Sequence, residues 1–136
     1  MAVLVDTGPF LALLNTADPW HDRAMRMWEE LRSGRHGRVL STDLVAVEAM
    51  NFLARRPARL ALSRRMWDHY AGKATPIHWL STPPETLRTA GELHLREFKR
   101  GISLTDASLV VHGQSLGAAI ATLDRGFDGL LPVVTA

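Results

Sequence analysis

Ala2-Val3-Leu4-Val5-Asp6-Thr7-Gly8-Pro9 is an apolar run that stops on an acid and passes at once into turn and helix-start residues. A short β-branched and aliphatic run bounded this way reads as a buried strand, and Pro9 suits the first turn of a following helix. The same grammar recurs near the other end, where Ala118-Ala119-Ile120-Ala121-Thr122-Leu123 stops on Asp124 and is followed by Arg125-Gly126. Asp6 and Asp124 are therefore each expected as the last residue of a buried parallel strand. In open α/β sheets, ligand sites gather outside the carboxyl ends of the strands.

Outward from these two runs, further strands are expected near residues 38–41, 76–80 and 132–135, and helices fill the gaps. Pro19 suits a helix start behind the capping candidate Asp18, and Ser33-Gly34 stops that helix. Asp43 to Arg55, Ala58 to Gly72, Pro84 to Arg100 and Thr105 to Leu116 supply four more. Strands separated by helices of this length imply parallel pairing. The expected fold is α/β, a three-layer α/β/α sandwich around a mainly parallel five-stranded sheet.

The chain has 136 residues, enough to bury roughly two-thirds of its unfolded surface in one core, so a single domain across residues 1–136 is expected. Its 46% hydrophobic and 22% charged residues are ordinary for a globular protein. No apolar run approaches the ~20 residues of a membrane span, and Met1 leads straight into a strand without the segments of a secretory signal. No membrane association and a cytoplasmic location are expected. With no cysteine, disulfides and thiolate metal sites are excluded.

Fourteen arginines and two lysines coexist with fourteen acids, for a net charge of +2. Arg32, Arg35 and Arg38 form one group, Arg55, Arg56, Arg59, Arg64 and Arg65 a second, and Arg96, Lys99 and Arg100 a third. Any single arginine reads as part of a solvated helix face. Together the groups suggest phosphate neutralisation and a nucleic-acid partner.

Glu48 carries the sharpest chemical signal, because Leu44 and Val45 lie one turn before it and Phe52 one turn after. A carboxylate on an apolar face must be paired or bound to a metal. Asp106 in Ser103-Leu104-Thr105-Asp106 fits a reciprocal helix cap, and Asp6 and Asp124 taken singly fit strand-end turns. Jointly, Asp6, Glu48, Asp106 and Asp124 lie at strand ends or helix starts that can converge. Clustered carboxylates repel, and survive near neutrality by taking up protons or binding a hard cation. Mg²⁺, with Mn²⁺ as its substitute, takes oxygen ligands and accepts phosphate oxygens. Such a site lowers the pKa of a bound water, orients it and stabilises a leaving oxygen, which suits phosphodiester hydrolysis.

Val5-Asp6-Thr7-Gly8-Pro9-Phe10, Glu48 within Leu44 to Leu53, Leu104-Thr105-Asp106-Ala107-Ser108 and Thr122-Leu123-Asp124-Arg125-Gly126-Phe127 resemble, in order and spacing, the PIN-domain family. Among its members, the chain is most similar to the VapC-type ribonuclease toxins of VapBC toxin–antitoxin pairs. The resemblance implies a Mg²⁺-dependent endoribonuclease acting on RNA, a homodimer, and inhibition by a cognate antitoxin. It places Asp6, Glu48, Asp106 and Asp124 as the acidic quartet, with Asp6 and Asp106 as the most direct metal ligands. Thr7 and Thr122 match hydroxyl positions beside the acids, and Asp128 is a third supporting candidate.

Other assignments stay open. An aspartyl-phosphate phosphatase wants a second aspartate where Gly8 stands, and a receiver domain wants a strand-end lysine, whereas Lys73 and Lys99 lie in helical or loop stretches. A catalytically inactive PIN-like module that binds RNA or protein is the remaining alternative. Among the histidines, His21 and His36 sit in polar or glycine-rich surroundings, His69 and His94 within amphipathic helices, and His78 and His112 in apolar contexts that suggest packing. No zinc spacing appears. Trp28, Trp67, Trp79 and Phe127 read as core or interface residues; Trp20 reads as packing or as a surface on which a base stacks.

Overall fold

The computed structural model describes residues 1–72 and 76–134. Lys73 and the Thr135 end of the last expected strand lie outside the described residues. Five strands form one sheet in the order β3-β2-β1-β4-β5, every pair parallel. They are β1 (Ala2–Val5), β2 (Arg38–Thr42), β3 (His78–Leu80), β4 (Ala119–Ala121) and β5 (Val133–Val134). Six helices cover the sheet: α1 (Thr7–Leu14), α2 (His21–Arg32), α3 (Asp43–Leu53), α4 (Leu60–Ala71), α5 (Pro84–Arg96) and α6 (Leu104–Leu116). The three-layer α/β architecture expected from the sequence is the one observed.

The central strand β1 is apolar because both its faces are covered: Val3, Leu4 and Val5 are fully buried. Helices α1, α2, α3 and α4 pack against one another, α5 packs on α6, and α6 lies against β1 and β4. Phe10 anchors the first group, meeting Trp28 at 5.1 Å and Trp79 at 5.4 Å between ring centroids. The indole Nε1 of Trp28 donates to the Pro9 carbonyl and that of Trp79 to the His69 carbonyl. The interior reading of Trp28 and Phe127 holds, whereas Trp67 is 51% exposed and is not a core residue.

Element ends differ from the sequence reading for local reasons. Helix α2 starts at His21, not at Pro19, because the Asp18 side chain accepts from the Trp20 backbone N–H in a turn that precedes the helix. The expected helix Pro84 to Arg100 is α5 followed by a separate 3-10 turn, Phe98–Arg100, which holds Lys99. The turn closes on Gly101 at φ +80°, a left-handed conformation that favours glycine. Ser103 then caps α6 reciprocally with Asp106, as its sequence suggests. At the opposite end of the sheet, a Cβ on Gly37 would come within 2.2 Å of the Met1 carbonyl oxygen, so only glycine lets β2 begin there. Among the described residues no helix is long and apolar enough to cross a membrane.

Candidate functional site

Asp6 follows β1 directly and caps α1, accepting the Thr7 N–H on Oδ1 at 2.7 Å. Its own N–H donates to the Ala121 carbonyl, which ties it to the end of β4. Just beyond β4, Thr122 donates its hydroxyl to Asp6 Oδ2 at 2.9 Å and accepts the Asp124 N–H at 3.1 Å. One threonine hydroxyl thus links the Asp6 carboxylate to the turn that carries Asp124. Asp124 is exposed in that turn, three residues past the strand; the expected strand-end position belongs to Ala121 instead. Its carboxylate accepts the Gly126 N–H at 3.2 Å, which stabilises the turn after the strand has ended.

Asp106 enters from α6 with Oδ2 accepting the Ser103 N–H at 3.0 Å. Glu48 enters from the middle of α3 and is half-buried. The core side of α3 is Val45, Ala46, Ala49 and Leu53, while Leu44, Glu48 and Phe52 line a groove of about 510 Å³ with Thr7, Leu11, Val47, Asn51, Arg55 and Thr105. The apolar face read from sequence is therefore divided: Val45 belongs to the core, while Leu44 and Phe52 form a groove wall beside Glu48, with Phe52 38% exposed. A second groove, about 230 Å³, contains Asp6 and Asp124 and shares Leu11 and Phe52 with the first.

The four acids are electrostatically joined. Asp6, buried against water, has its pKa pushed up to about 7, first by burial, then by Asp106 and to a lesser degree Glu48, against the lowering bonds from Thr7 and Thr122. The Asp106 pKa is raised by burial and by Glu48 and Asp124, against its bonds with Ser103. The Thr7 hydroxyl is buried and has no hydrogen-bond partner. Among the described residues no three His, Asp or Glu side chains close into a metal-holding cluster. The donor set nevertheless fits a hard cation: it is all oxygen, its crowding raises the proton affinity of Asp6 and Asp106, and an unsatisfied hydroxyl stands beside it.

Other candidates resolve individually. Asp128 is exposed, and its backbone carbonyl accepts from Arg100 at 2.7 Å, strapping the turn after Asp124 to the 3-10 turn. Arg32 and Arg38 line a separate pocket with Gly34, Gly37 and Val39 at the start of β2, opposite the acids, so that group does not surround the acidic mouth. Arg55 does line the acid-side groove. His78 is exposed, whereas His112 is buried as its apolar context suggests and also has a polar partner: its Nε2 lies 3.2 Å from the Thr82 hydroxyl, which bonds Asp43. That network escaped sequence reading; its available signal was Asp43 itself, an acid directly after a strand just as Asp6 is.

A solved structure of the Mycobacterium tuberculosis toxin VapC20, which cleaves the sarcin–ricin loop, is similar with a TM-score of 0.83 and 20% identity, covering 98% of this chain and 99% of that one. VapBC2 from Rickettsia felis, bound to a promoter DNA fragment, matches at 0.70 and 14% identity over 98% of each chain. A Pyrobaculum aerophilum protein matches at 0.60 and 25% identity, covering 96% of this chain and 88% of its own. No curated protein matches the sequence. The family model described as PIN domain matches residues 3–130, nearly the whole fold and all four acids, and the chain belongs to the PIN-domain family.

Proposed function

We propose that the chain is a single PIN-like nuclease unit across residues 1–136: a Mg²⁺-dependent endoribonuclease, with Mn²⁺ able to substitute. It acts as the toxin of a type II toxin–antitoxin pair, in the cytoplasm and as a homodimer. The carrying observation is Asp6, a buried carboxylate whose pKa of about 7 records burial and the crowding of Asp106 and Glu48. A site that buries one carboxylate against the charge of its neighbours gains most from a divalent cation.

Asp6 and Asp106 are the direct ligands in this reading, with Glu48 and Asp124 completing the acidic mouth. These carboxylates would hold the cation, which would supply charge for phosphate oxygens and water activation for phosphodiester hydrolysis. Thr122 fixes the orientation of Asp6 through its 2.9 Å bond, and Ser103 fixes Asp106 through the reciprocal cap. Thr7 lines the groove beside Glu48, and its buried, unpartnered hydroxyl is the group on that wall left to bond a neighbouring carboxylate or a ligand water. Similarity to an RNA-cleaving toxin supports RNA as the substrate class, and similarity to a VapBC complex supports a cognate antitoxin. An antitoxin that inserts a basic side chain among the acids would compete with the cation.

The test is RNA cleavage by the parent protein with Mg²⁺, with chelator, and by Asp106→Asn. Parent activity lost on chelation, together with a folded and inactive Asp106→Asn protein by circular dichroism, is expected. Cleavage by Asp106→Asn at the parent rate with added Mg²⁺ overturns the assignment and favours a binding module.

A further inference from the structure

The groove that holds Asp6 and Asp124 is walled by two exposed aromatic rings from different elements: Trp20, just before α2 and 52% exposed, and Phe52, near the end of α3. Each ring carries guanidinium groups. The Arg23 Cζ lies 5.2 Å from the Trp20 ring centroid, and on Phe52 Arg59 lies at 4.8 Å and Arg55 at 5.7 Å. Among the described residues none of these three arginines forms an ion pair with a carboxylate, although the acidic mouth is adjacent. Their charge is held over aromatic faces and is left for an outside anion.

A chain leaving the acids toward α2 meets Trp20, and one leaving along α3 meets Phe52, where the two grooves join. Aromatic rings accept the π-face of any base, guanidinium planes stack with bases as well, and arginines pair the phosphates between them. A duplex keeps its bases stacked on one another and cannot offer two of them to rings carried by separate elements.

We propose that Trp20 and Phe52 are stacking platforms for two unpaired nucleobases flanking the phosphodiester presented to the acids, with Arg23 on one side and Arg55 and Arg59 on the other holding the adjoining phosphates. The two rings then hold unpaired bases on either side of the scissile phosphodiester by stacking, and the arginines hold the backbone between them. The assignment rests on the ribonuclease reading of the acidic mouth.

Its test measures binding by the non-cleaving Asp106→Asn protein, with Mg²⁺ present, to a labelled single-stranded RNA of about 12 nucleotides, to the matching duplex, and to the same strand with abasic sites. Trp20→Ala and Phe52→Ala are each expected to raise the Kd for the single strand by about 5- to 150-fold, with little change for the abasic strand. Trp20→Phe and Phe52→Tyr, which keep a ring, should bind within a few-fold of the parent. Equal losses on normal and abasic RNA, preference for the duplex, or binding unchanged by both alanine variants overturns the proposal. So does a result in which the alanine variants weaken only a basic amphipathic peptide, which would make the walls a protein-docking surface. If the parent protein cleaves RNA while both alanine variants bind and cleave like it, the platforms fail and the nuclease reading stands. If the parent cleaves nothing yet binding still requires both rings, the reverse holds.

Discussion

Asp6 and Asp43 occupy similar places: each directly follows one of two neighbouring parallel strands, β1 and β2, Asp6 as the cap of α1 and Asp43 as the first residue of α3. Their surroundings are opposite. Asp43 accepts the Leu44 N–H at 2.9 Å and the Thr82 hydroxyl at 2.6 Å on Oδ1, and the Thr82 N–H at 3.0 Å on Oδ2. Since the Thr82 hydroxyl gives its only proton to Asp43, the 3.2 Å contact with His112 Nε2 is donated by the ring, which assigns the histidine tautomer. Asp43 looks at donors on every side, whereas Asp6 has two donors and looks at other carboxylates. A strand-end acid becomes a candidate for chemistry when the protein leaves its charge uncompensated; when donors surround it, it is a joint of the scaffold.

The most severe way to break that contrast is to remove each charge in turn. Asp6→Asn should lower single-turnover RNA cleavage by more than about 100-fold, beyond the 10- to 100-fold typical of residues that only support a metal site. It should leave the fold at least as stable, because it relieves repulsion from Asp106 and Glu48. Asp43→Asn should do the reverse, keeping cleavage within a few-fold and losing about 1–3 kcal/mol in urea unfolding as an amide replaces an acceptor of three bonds. Cleavage that survives Asp6→Asn, or disappears in a folded Asp43→Asn protein, ends the distinction.

A pH series sharpens it. Folding raises the Asp6 pKa from 3.8 to about 7, so the folded state holds this proton more tightly than the unfolded chain. The stabilisation is fully present below pH 3.8 and is lost as pH rises through about 7. Its ceiling is on the order of 4 kcal/mol. His69 and His112, whose pKa values burial lowers, act with the opposite sign, losing stability as pH falls below the ordinary histidine value. The readout is therefore the difference between the parent and Asp6→Asn proteins in chelator. The substitution should be increasingly favourable from pH 4 toward 7, and Mg²⁺ should shrink the gap by competing with the proton. A difference independent of pH would mean that Asp6 titrates alike in both states.

Much of this was legible in the sequence, because local grammar and tertiary role agree there. The β1 run, the strand-end acid, the proline in the first turn of α1 and the Ser103–Asp106 cap each follow from neighbouring residues. What failed depends on distant partners. Glu48 lies on the apolar side of its helix by periodicity, but whether that side meets the core or a groove is decided by α1 and α6. His112 is buried as its apolar context suggests, but its polar partners, Thr82 and Asp43, are 30 and 69 positions earlier in the chain and leave no local trace. The Arg32, Arg35 and Arg38 group reads in sequence as one basic cluster among three, and only the parallel sheet shows that the start of β2 lies at the far end from the strand-end carboxylates.

The mildest prediction compares two threonines beside the two aspartates. The Thr82 hydroxyl both donates and accepts, so Thr82→Val strips one bond from Asp43 and one from His112 and should cost stability. The Thr7 hydroxyl is buried with no partner, so in the free protein it carries an unpaid desolvation cost. Thr7→Val, nearly the same shape, should leave urea stability unchanged or raise it by about 1 kcal/mol. If that hydroxyl waits for substrate or a ligand water, the same substitution should slow cleavage by roughly 10-fold, the lower end of the range for a residue supporting a metal site. The two readouts must move apart: stability level or up, rate down. A Thr7→Val protein that is less stable and cleaves normally would place the hydroxyl in a structural bond, and the catalytic neighbourhood would shrink to the four acids and Thr122.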